Sequence, residues 1–551
     1  MSSVQSRFTR LLDRGFYPAE LPPVFKTTNY STAARNGLLG VTEAKKRKYA
    51  SHVVNFDGST FQGNLRTFGI INPVSYCFLG QKISEGWPKI NSVYKLSKFS
   101  DARPSFPAMN ADGRAITSSP LSAKRRHLQH LAGAFPLLLY LDINRFYASL
   151  YTHTLPWSAL GKEEAKRRFF NKTLSGHWSD TLDLFVRNCN SRQTVGIPIG
   201  PDTSRILSEL LLARIDHEVW RQIKTLKAAD FTHSIDDYKF GVFSQFEAEI
   251  VQSAFIKIIQ KYELRLNDFK TDLKQGLTYA PKNWQREFDN VRQLHGLAAV
   301  EVFFDCLYRL TQQQTGSNVV GYALKRFARQ LASNAERQKI AEYLQRLLFA
   351  APHHARWVFP ILLGLYRQLG VSPQQKRAIV WGIGISARRG DVVTLLWFLY
   401  AALFLNFHIG KDASDSCFSL DNPLVDLMLV HGKELGCATL NPSQLKRRYR
   451  DAVLSDPAWV LCYEVERRNW VPSAGIAKIG SNADSENYFA ALAAEDAWFY
   501  QADPSVFSLS SFSGWPLSDE AFQLEIAELD WGDVSFANHQ FLLSGVDVYE
   551  F

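Results

Sequence analysis

Two adjacent carboxylates inside a strand-like run constrain this chain more than any other feature. The run is His233-Ser234-Ile235-Asp236-Asp237-Tyr238-Lys239-Phe240-Gly241-Val242-Phe243. Neighbours on a strand point to opposite faces, so a sheet cannot bury both acids without a cation or a turn. A second run, Leu137-Leu138-Leu139-Tyr140-Leu141, reads as a buried strand and leads directly into Asp142. A carboxylate at a sheet's mouth is a hard oxygen ligand for Mg²⁺, or for Mn²⁺ in its place, with room left for phosphate oxygens. If a hairpin carries the acid pair, Asp236 can join Asp142 around two ions about 3.5–4 Å apart, which activate an attacking hydroxyl and stabilise leaving pyrophosphate. Taken singly, each signal is equally an Asp capping a helix or an ordinary Asp-Asp turn.

Two further motifs give these acids a context. In Gln193-Thr194-Val195-Gly196-Ile197-Pro198-Ile199-Gly200-Pro201-Asp202, the glycines around Ile-Pro-Ile allow close backbone approach, and a helix is predicted from Asp202 to about Trp220. Such a turn suits the underside of a nucleotide base and a template strand. Downstream, Leu266-Asn267-Asp268-Phe269-Lys270-Thr271 supplies a lysine that can donate a proton to leaving pyrophosphate or contact the triphosphate. Strand-Asp, glycine turn and helix, Asp-Asp hairpin and lysine follow in that order within about 130 residues. This is the layout of a polymerase palm.

Charge agrees with a polyanionic partner. The net charge is +10, yet no Lys or Arg follows Lys478, and the segment after it holds 13 carboxylates from Asp484 to Glu550. Residues 1–478 therefore carry about +23, a balance that favours DNA or RNA. The six cysteines (Cys77, Cys189, Cys306, Cys417, Cys437, Cys462) form no CxxC pair, so reduced thiols and a cytoplasmic location are expected. The N-terminus lacks the apolar run of a signal peptide. The most apolar stretch, Val392–Phe407, is about 16 residues, short of the ~20 of a membrane span, and reads as a buried helix.

The chain length predicts two or three domains. Residues 137–279 alternate short apolar runs with helical patterns, an α/β or α+β signature. From about Pro281 strand signals fade, and helices are predicted at Ala299–Thr311, Val319–Leu331, Gln338–Phe349, Val358–Leu369 and Val392–Phe407, spaced as in an α-solenoid without a strict repeat. The acidic tail from about Asn482, with Trp498, Phe499, Tyr500, Trp515 and Trp531, is too apolar for simple disorder and is expected to pack on the body.

On these motifs the chain resembles the reverse transcriptases. It is closest to the abortive-infection and defence-associated branch of bacteria, including the AbiK and P2-prophage abortive-infection polymerases. The Tyr151-Thr152-His153-Thr154-Leu155-Pro156-Trp157 run with Gly161-Lys162, and the Gly196–Arg205 stretch, carry the likeness, which covers roughly residues 120–275. The resemblance implies an α+β fold: reverse-transcriptase-like fingers and palm over 1–283, then an all-α, HEAT-like helical-repeat domain over 284–551 in place of a thumb. It implies catalysis by Asp142, Asp236, Asp237 and Lys270. Metal would be held by Asp142, Asp236 and the Ile143 backbone. Nucleotide would be bound by Ile143, Tyr147, Gln193 and Gly196, with Tyr147 excluding a ribose 2′-hydroxyl so that dNTPs are used. The implied partners are dNTPs, a single-stranded DNA product attached to a tyrosine of the protein, or else an associated non-coding RNA, with a homo-oligomer and no membrane. Tyr17, Tyr30 and Tyr49 precede the palm and are candidate primers. One departure is Ser234, preceded by His233, where the family usually places an aromatic or Arg-flanked residue before the acid pair.

Two other classes fit parts of the sequence. Arg346 and His353 loosely match the Arg-x-His pair of HEPN ribonucleases, although Pro352 breaks the helix they would need. A basic scaffold binding nucleic acid without catalysis is the other, against which all three acids are intact.

Overall fold

The computed structural model describes residues 3–504, apart from residues 61, 109–112, 120, 224–229, 277–283, 292, 315–316, 472–475, 477, 482–483 and 485. The part of the tail holding Trp515 and Trp531 lies outside the described residues. The chain is mixed α+β, as the alternating pattern predicts.

Two sheets form. β1 (Val54–Ser59) and β2 (Leu65–Ile70) make an antiparallel hairpin that the sequence pattern did not signal. β3 (Leu137–Asp142), β4 (Phe231–Ser234), β5 (Asp237–Val242) and β6 (Asp272–Gln275) form an antiparallel sheet in the order β4-β5-β3-β6. The unbroken apolar run of β3 fits its central place, with Leu138, Leu139 and Leu141 buried. Gly241 on β5 is required there, because a Cβ would lie 2.2 Å from the Phe135 ring. Behind the sheet lie the helices Asp202–Ile223 and Gln245–Lys261. The second begins where the Ser244 hydroxyl accepts the Glu247 N–H at 3.2 Å, and its Phe255 ring meets Tyr238 and Phe240 at 4.7 and 5.7 Å.

The second half is helical, and each predicted helix forms. Arg337–Ala350 pairs with Ala355–Leu369, Pro373–Arg389 with Val392–Phe404, and Lys411–Phe418 with Pro423–Glu434. Successive hairpins stack, Ala355–Leu369 on Val392–Phe404 and that helix in turn on Pro423–Glu434. Val392–Phe404 is buried within this stack, and no helix among the described residues is long and apolar enough to cross a membrane.

The N-terminal segment closes on residues 498–500. Phe499 is fully buried, its ring 5.7 Å from Phe16, 5.1 Å from Tyr30 and Trp459, and 5.6 Å from Tyr463. Thr28 and Trp498 exchange backbone hydrogen bonds at 2.8 and 3.0 Å. The described part of the tail thus packs on the body, as expected. Tyr17 and Tyr30 belong to this core: their hydroxyls donate to the Phe499 and Pro73 carbonyls, while the Tyr49 hydroxyl donates to Asn72. None of the three offers a free hydroxyl to prime synthesis, which corrects the expectation for them. Truncating Phe499 to Ala is expected to cost about 3–5 kcal/mol, read from the urea midpoint. An unshifted midpoint would show that the tail contact does not hold the fold.

Candidate active site

The register of the central sheet gathers the acids. Asp142 is the cross-strand partner of Asp237, one step along from Leu141 opposite Tyr238. Partners in an antiparallel pair share a face, so two carboxylates stand side by side, an arrangement that repels unless a cation intervenes. Asp236 is released from the strand by the tight turn between β4 and β5, whose pairing ends at Ser234 and Asp237. The Ile143 N–H donates to the Asp236 carbonyl at 3.1 Å, which presses the turn against the chain leaving β3. All three predicted acids therefore meet at one end of the sheet.

Their environment is electrostatically strained. Asp142 is 4% exposed and is held by Asn267 Nδ2 at 2.8 Å and Lys270 Nζ at 3.2 Å. Burial, and then the neighbouring Asp142, push the Asp236 carboxyl up to about 6. Burial, Asp236 and the hydrogen bond with Asp142 hold the Asp237 carboxyl well above its ordinary range. Lys270, the predicted lysine, is ion-paired with Asp142 in this state.

The glycine turn lies alongside. Gly196 takes φ +87° and a Cβ there would meet the Ala148 carbonyl at 3.3 Å, so both its conformation and its closeness favour glycine. Its N–H donates to the Leu150 carbonyl at 2.9 Å, and the Ile197 N–H donates to the Tyr147 carbonyl at 2.9 Å. Tyr147 thus sits between this turn and the Asp202–Ile223 helix, its hydroxyl 3.4 Å from Ser208 Oγ and its phenol pushed up to about 12 by burial. Gln193 is exposed, and its side-chain oxygen accepts from Asn190 Nδ2 at 3.3 Å. Asp202 ties the start of its helix to an earlier segment: Arg114 Nε donates to it at 2.8 Å, and the Ala115 N–H at 3.0 Å.

Three features escaped sequence reading. Arg66, on β2, is close enough to Asp236 to oppose the rise of its carboxyl, and the hairpin that brings it there left no pattern. Asn267 lies within the lysine motif, three residues before Lys270, where its role was open to notice. An open cavity of about 610 Å³ beside the exit of β3 is lined by Arg145, Ala148, Ser149, Tyr151, Val195 and Glu263.

The donor set suits one class of cation. Among the described residues no three His, Cys, Asp or Glu side chains form a ready-made metal cage. Mg²⁺ does not need one, since it is usually bound through one or two carboxylates with waters and substrate phosphates completing its shell. Repelling carboxylates fit that requirement. Arg346 and His353 form no such centre: Arg346 lies over the Tyr308 ring at 5.4 Å, while His353 sits on a turn after the helix has ended at Ala350.

No family model and no curated protein matches the sequence. Among solved structures the chain is similar to apo telomerase from Candida tropicalis, with 11% identity and a TM-score of 0.32 over 67% of this chain and 72% of that one. It is also similar to telomerase from Candida albicans in complex with a TWJ fragment of telomeric RNA, with 12% identity and a TM-score of 0.29 over 67% and 69% of the two chains. At these scores the likeness carries no argument about chemistry, which rests on the site itself.

Carboxyls raised in the fold cost stability that is absent at acid pH and grows as pH rises through about 6 for Asp236. Asp236→Asn is therefore expected to stabilise the metal-free protein by about 1–3 kcal/mol near neutral pH and by nothing near pH 4. Thermal melts of both proteins across that range test the sign; a destabilised variant at neutral pH would refute the repulsion.

Proposed function

We propose that the chain is a DNA polymerase of the reverse-transcriptase type that transfers nucleotides from dNTPs at Asp142, Asp236 and Asp237. The observation that carries this reading is the cross-strand pairing of Asp142 with Asp237 beside the Asp236 turn. Asp142 and Asp236, with the Ile143 carbonyl, would hold Mg²⁺ or Mn²⁺. Bound there, the metal supplies Lewis acidity to the attacking 3′-hydroxyl and to the pyrophosphate that leaves as the phosphodiester forms.

The chain's own groups do the remainder. Lys270, already on the Asp142 carboxylate, stands where it can give a proton to the leaving pyrophosphate. Arg145 lines the cavity and offers a guanidinium to a triphosphate; the volume of about 610 Å³ falls within that of small-molecule sites. Tyr147, held by the Ile197 N–H and Ser208, walls the sugar and favours a deoxyribose. Arg66 extends positive charge from β2 toward the acids.

Within this reading the enzyme acts in anti-phage defence, as a homo-oligomer, with the stacked hairpins as HEAT-like repeats in place of a thumb. Synthesis starts from a tyrosine of the protein and needs no template. The motifs at Tyr151–Lys162 and Gly196–Arg205 support this finer assignment, and copying of an associated non-coding RNA is the alternative it must beat.

Purified protein given Mg²⁺ and labelled dNTPs is expected to incorporate label, and the Asp236→Asn, Asp237→Asn double variant to lose about 100-fold or more. Equal label in both would sink the polymerase reading. Without primer or template, label that stays on the denatured protein and is shortened by DNase supports protein priming; label lost after RNase pretreatment supports RNA copying. Arg145→Glu is expected to raise KM for dNTP about tenfold with a smaller change in kcat, and an unchanged KM would remove Arg145 from the nucleotide site.

A further inference from the structure

Beneath the acid turn lies a buried polar group that the chemistry above does not use. Asp216, on the Asp202–Ile223 helix, is fully buried, yet three side chains converge on its carboxylate. His233 Nε2 lies 2.8 Å from one oxygen, which also accepts from the Ser97 hydroxyl; the Tyr238 hydroxyl donates to the other at 2.8 Å. His233 is 1% exposed, and its second ring nitrogen, Nδ1, is 3.0 Å from the carbonyl of Ile235.

Ile235 is the residue that makes the turn. Its φ is +54°, a left-handed conformation rare and strained for a β-branched side chain. Such a conformation persists only when its surroundings over-determine it. Here β4 is tied by the His233 N–H to the Phe99 carbonyl at 3.1 Å and by the Asp101 N–H to the His233 carbonyl at 2.8 Å. The His233 ring stacks on Tyr238, centroids 4.7 Å apart and 13° from parallel.

We infer that His233 is a positioning residue whose ring ties buried Asp216 to the carbonyl of Ile235 and so fixes the turn that aims Asp236 and Asp237. This rests on the reading of those acids as the metal site. A ring between two acceptors donates to both only when each nitrogen carries a proton, so the ring is an imidazolium. Burial pulls the imidazole down, and Asp216 more than offsets it, leaving His233 raised to about 9. A buried ion pair of this kind is seldom more stable than apolar packing of the same volume, so stability alone gives little reason for it. Its place, one hydrogen bond from the strained residue beside the acids, gives it a role: it removes the freedom of the two carboxylates to rotate away from a shared cation.

The test uses the full chain. His233→Ala and His233→Gln are compared with wild type and with Ser97→Ala, which takes a donor from Asp216 without touching the turn. Manganese binding, followed by the electron paramagnetic resonance of free Mn²⁺, is read beside the kinetics of dNTP incorporation. His233→Ala is expected to weaken Mn²⁺ binding about 10–100-fold and to lower kcat by a similar factor with KM for dNTP within about twofold. His233→Gln, which keeps one donor, is expected to fall between, and Ser97→Ala to match wild type. Circular dichroism confirms folding; if His233→Ala fails to fold, His233→Gln alone decides. Folded His233 variants with wild-type Mn²⁺ affinity overturn the inference, as does an equal loss in Ser97→Ala. A wild type that binds Mn²⁺ but incorporates no dNTP refutes the polymerase reading instead, and the Mn²⁺ comparison still judges His233.

Discussion

The register between β3 and β5 places Asp142 opposite Asp237, and like charges so placed repel. Much of the surrounding structure can be understood as the means of holding that pairing. Side-chain direction alternates with a period of two, so a slip of one residue would put Asp237 on the face opposite Asp142. The slip is prevented by features remote from the acids: the Phe135 ring that only Gly241 admits, and the Tyr238 and Phe240 rings seated against Phe255. Lys270 and Asn267 then satisfy Asp142 from the β6 side, leaving Asp236 and Asp237 with raised carboxyls. The fold carries an unmet demand for positive charge, located where substrate phosphates would arrive with a metal.

The helical half bears on this site through the β1–β2 hairpin. The Ser59 hydroxyl and Asp391 are hydrogen-bonded partners, Arg389 donates to the Gly63 carbonyl at 2.9 Å, and Gly58 lies so close to Val393 that a Cβ would come within 2.4 Å of it. On its other side the hairpin meets the glycine turn: the Gly69 N–H donates to the Ile199 carbonyl at 3.0 Å. The hairpin also carries Arg66 toward Asp236. A basic residue near the acids therefore depends for its place on helices more than 300 residues further along the chain, which explains why the helical stack and the palm-like sheet belong to one packed unit.

What was legible in the sequence was what local chemistry decides. The uninterrupted Leu137–Leu141 run could only be a buried strand, and the glycines at 196 and 200 announced backbone that side chains would obstruct; Gly200 lies where a Cβ would be 2.3 Å from Pro18. Helices of the second half were found within about three residues of their ends because their apolar faces repeat. Pairing between distant segments was not legible. The Gly63-Asn64 turn of the β1–β2 hairpin reads in sequence only as loop punctuation, Arg66 gains meaning only from a contact across the fold, and Tyr17 and Tyr30 are core residues because Phe499 packs on them from a distant part of the chain. Gln193, at the start of the glycine motif, is exposed and accepts a hydrogen bond from Asn190.

His233 shows how the two kinds of information combine. In sequence it is only the residue that precedes the departure at Ser234, with no function of its own. In the fold it joins a carboxylate on a helix to a carbonyl in a turn, and the residue it steadies is the most strained of the acid hairpin. Stability would favour an apolar pair at this depth, a relaxed residue in the turn and amides in place of acids. The chain has none of these substitutions, and all three concessions fall within five consecutive residues, from His233 to Asp237. Departures from the most stable choice that gather on one turn, while the packing around it is regular, mark the turn as the place where folding has yielded to chemistry.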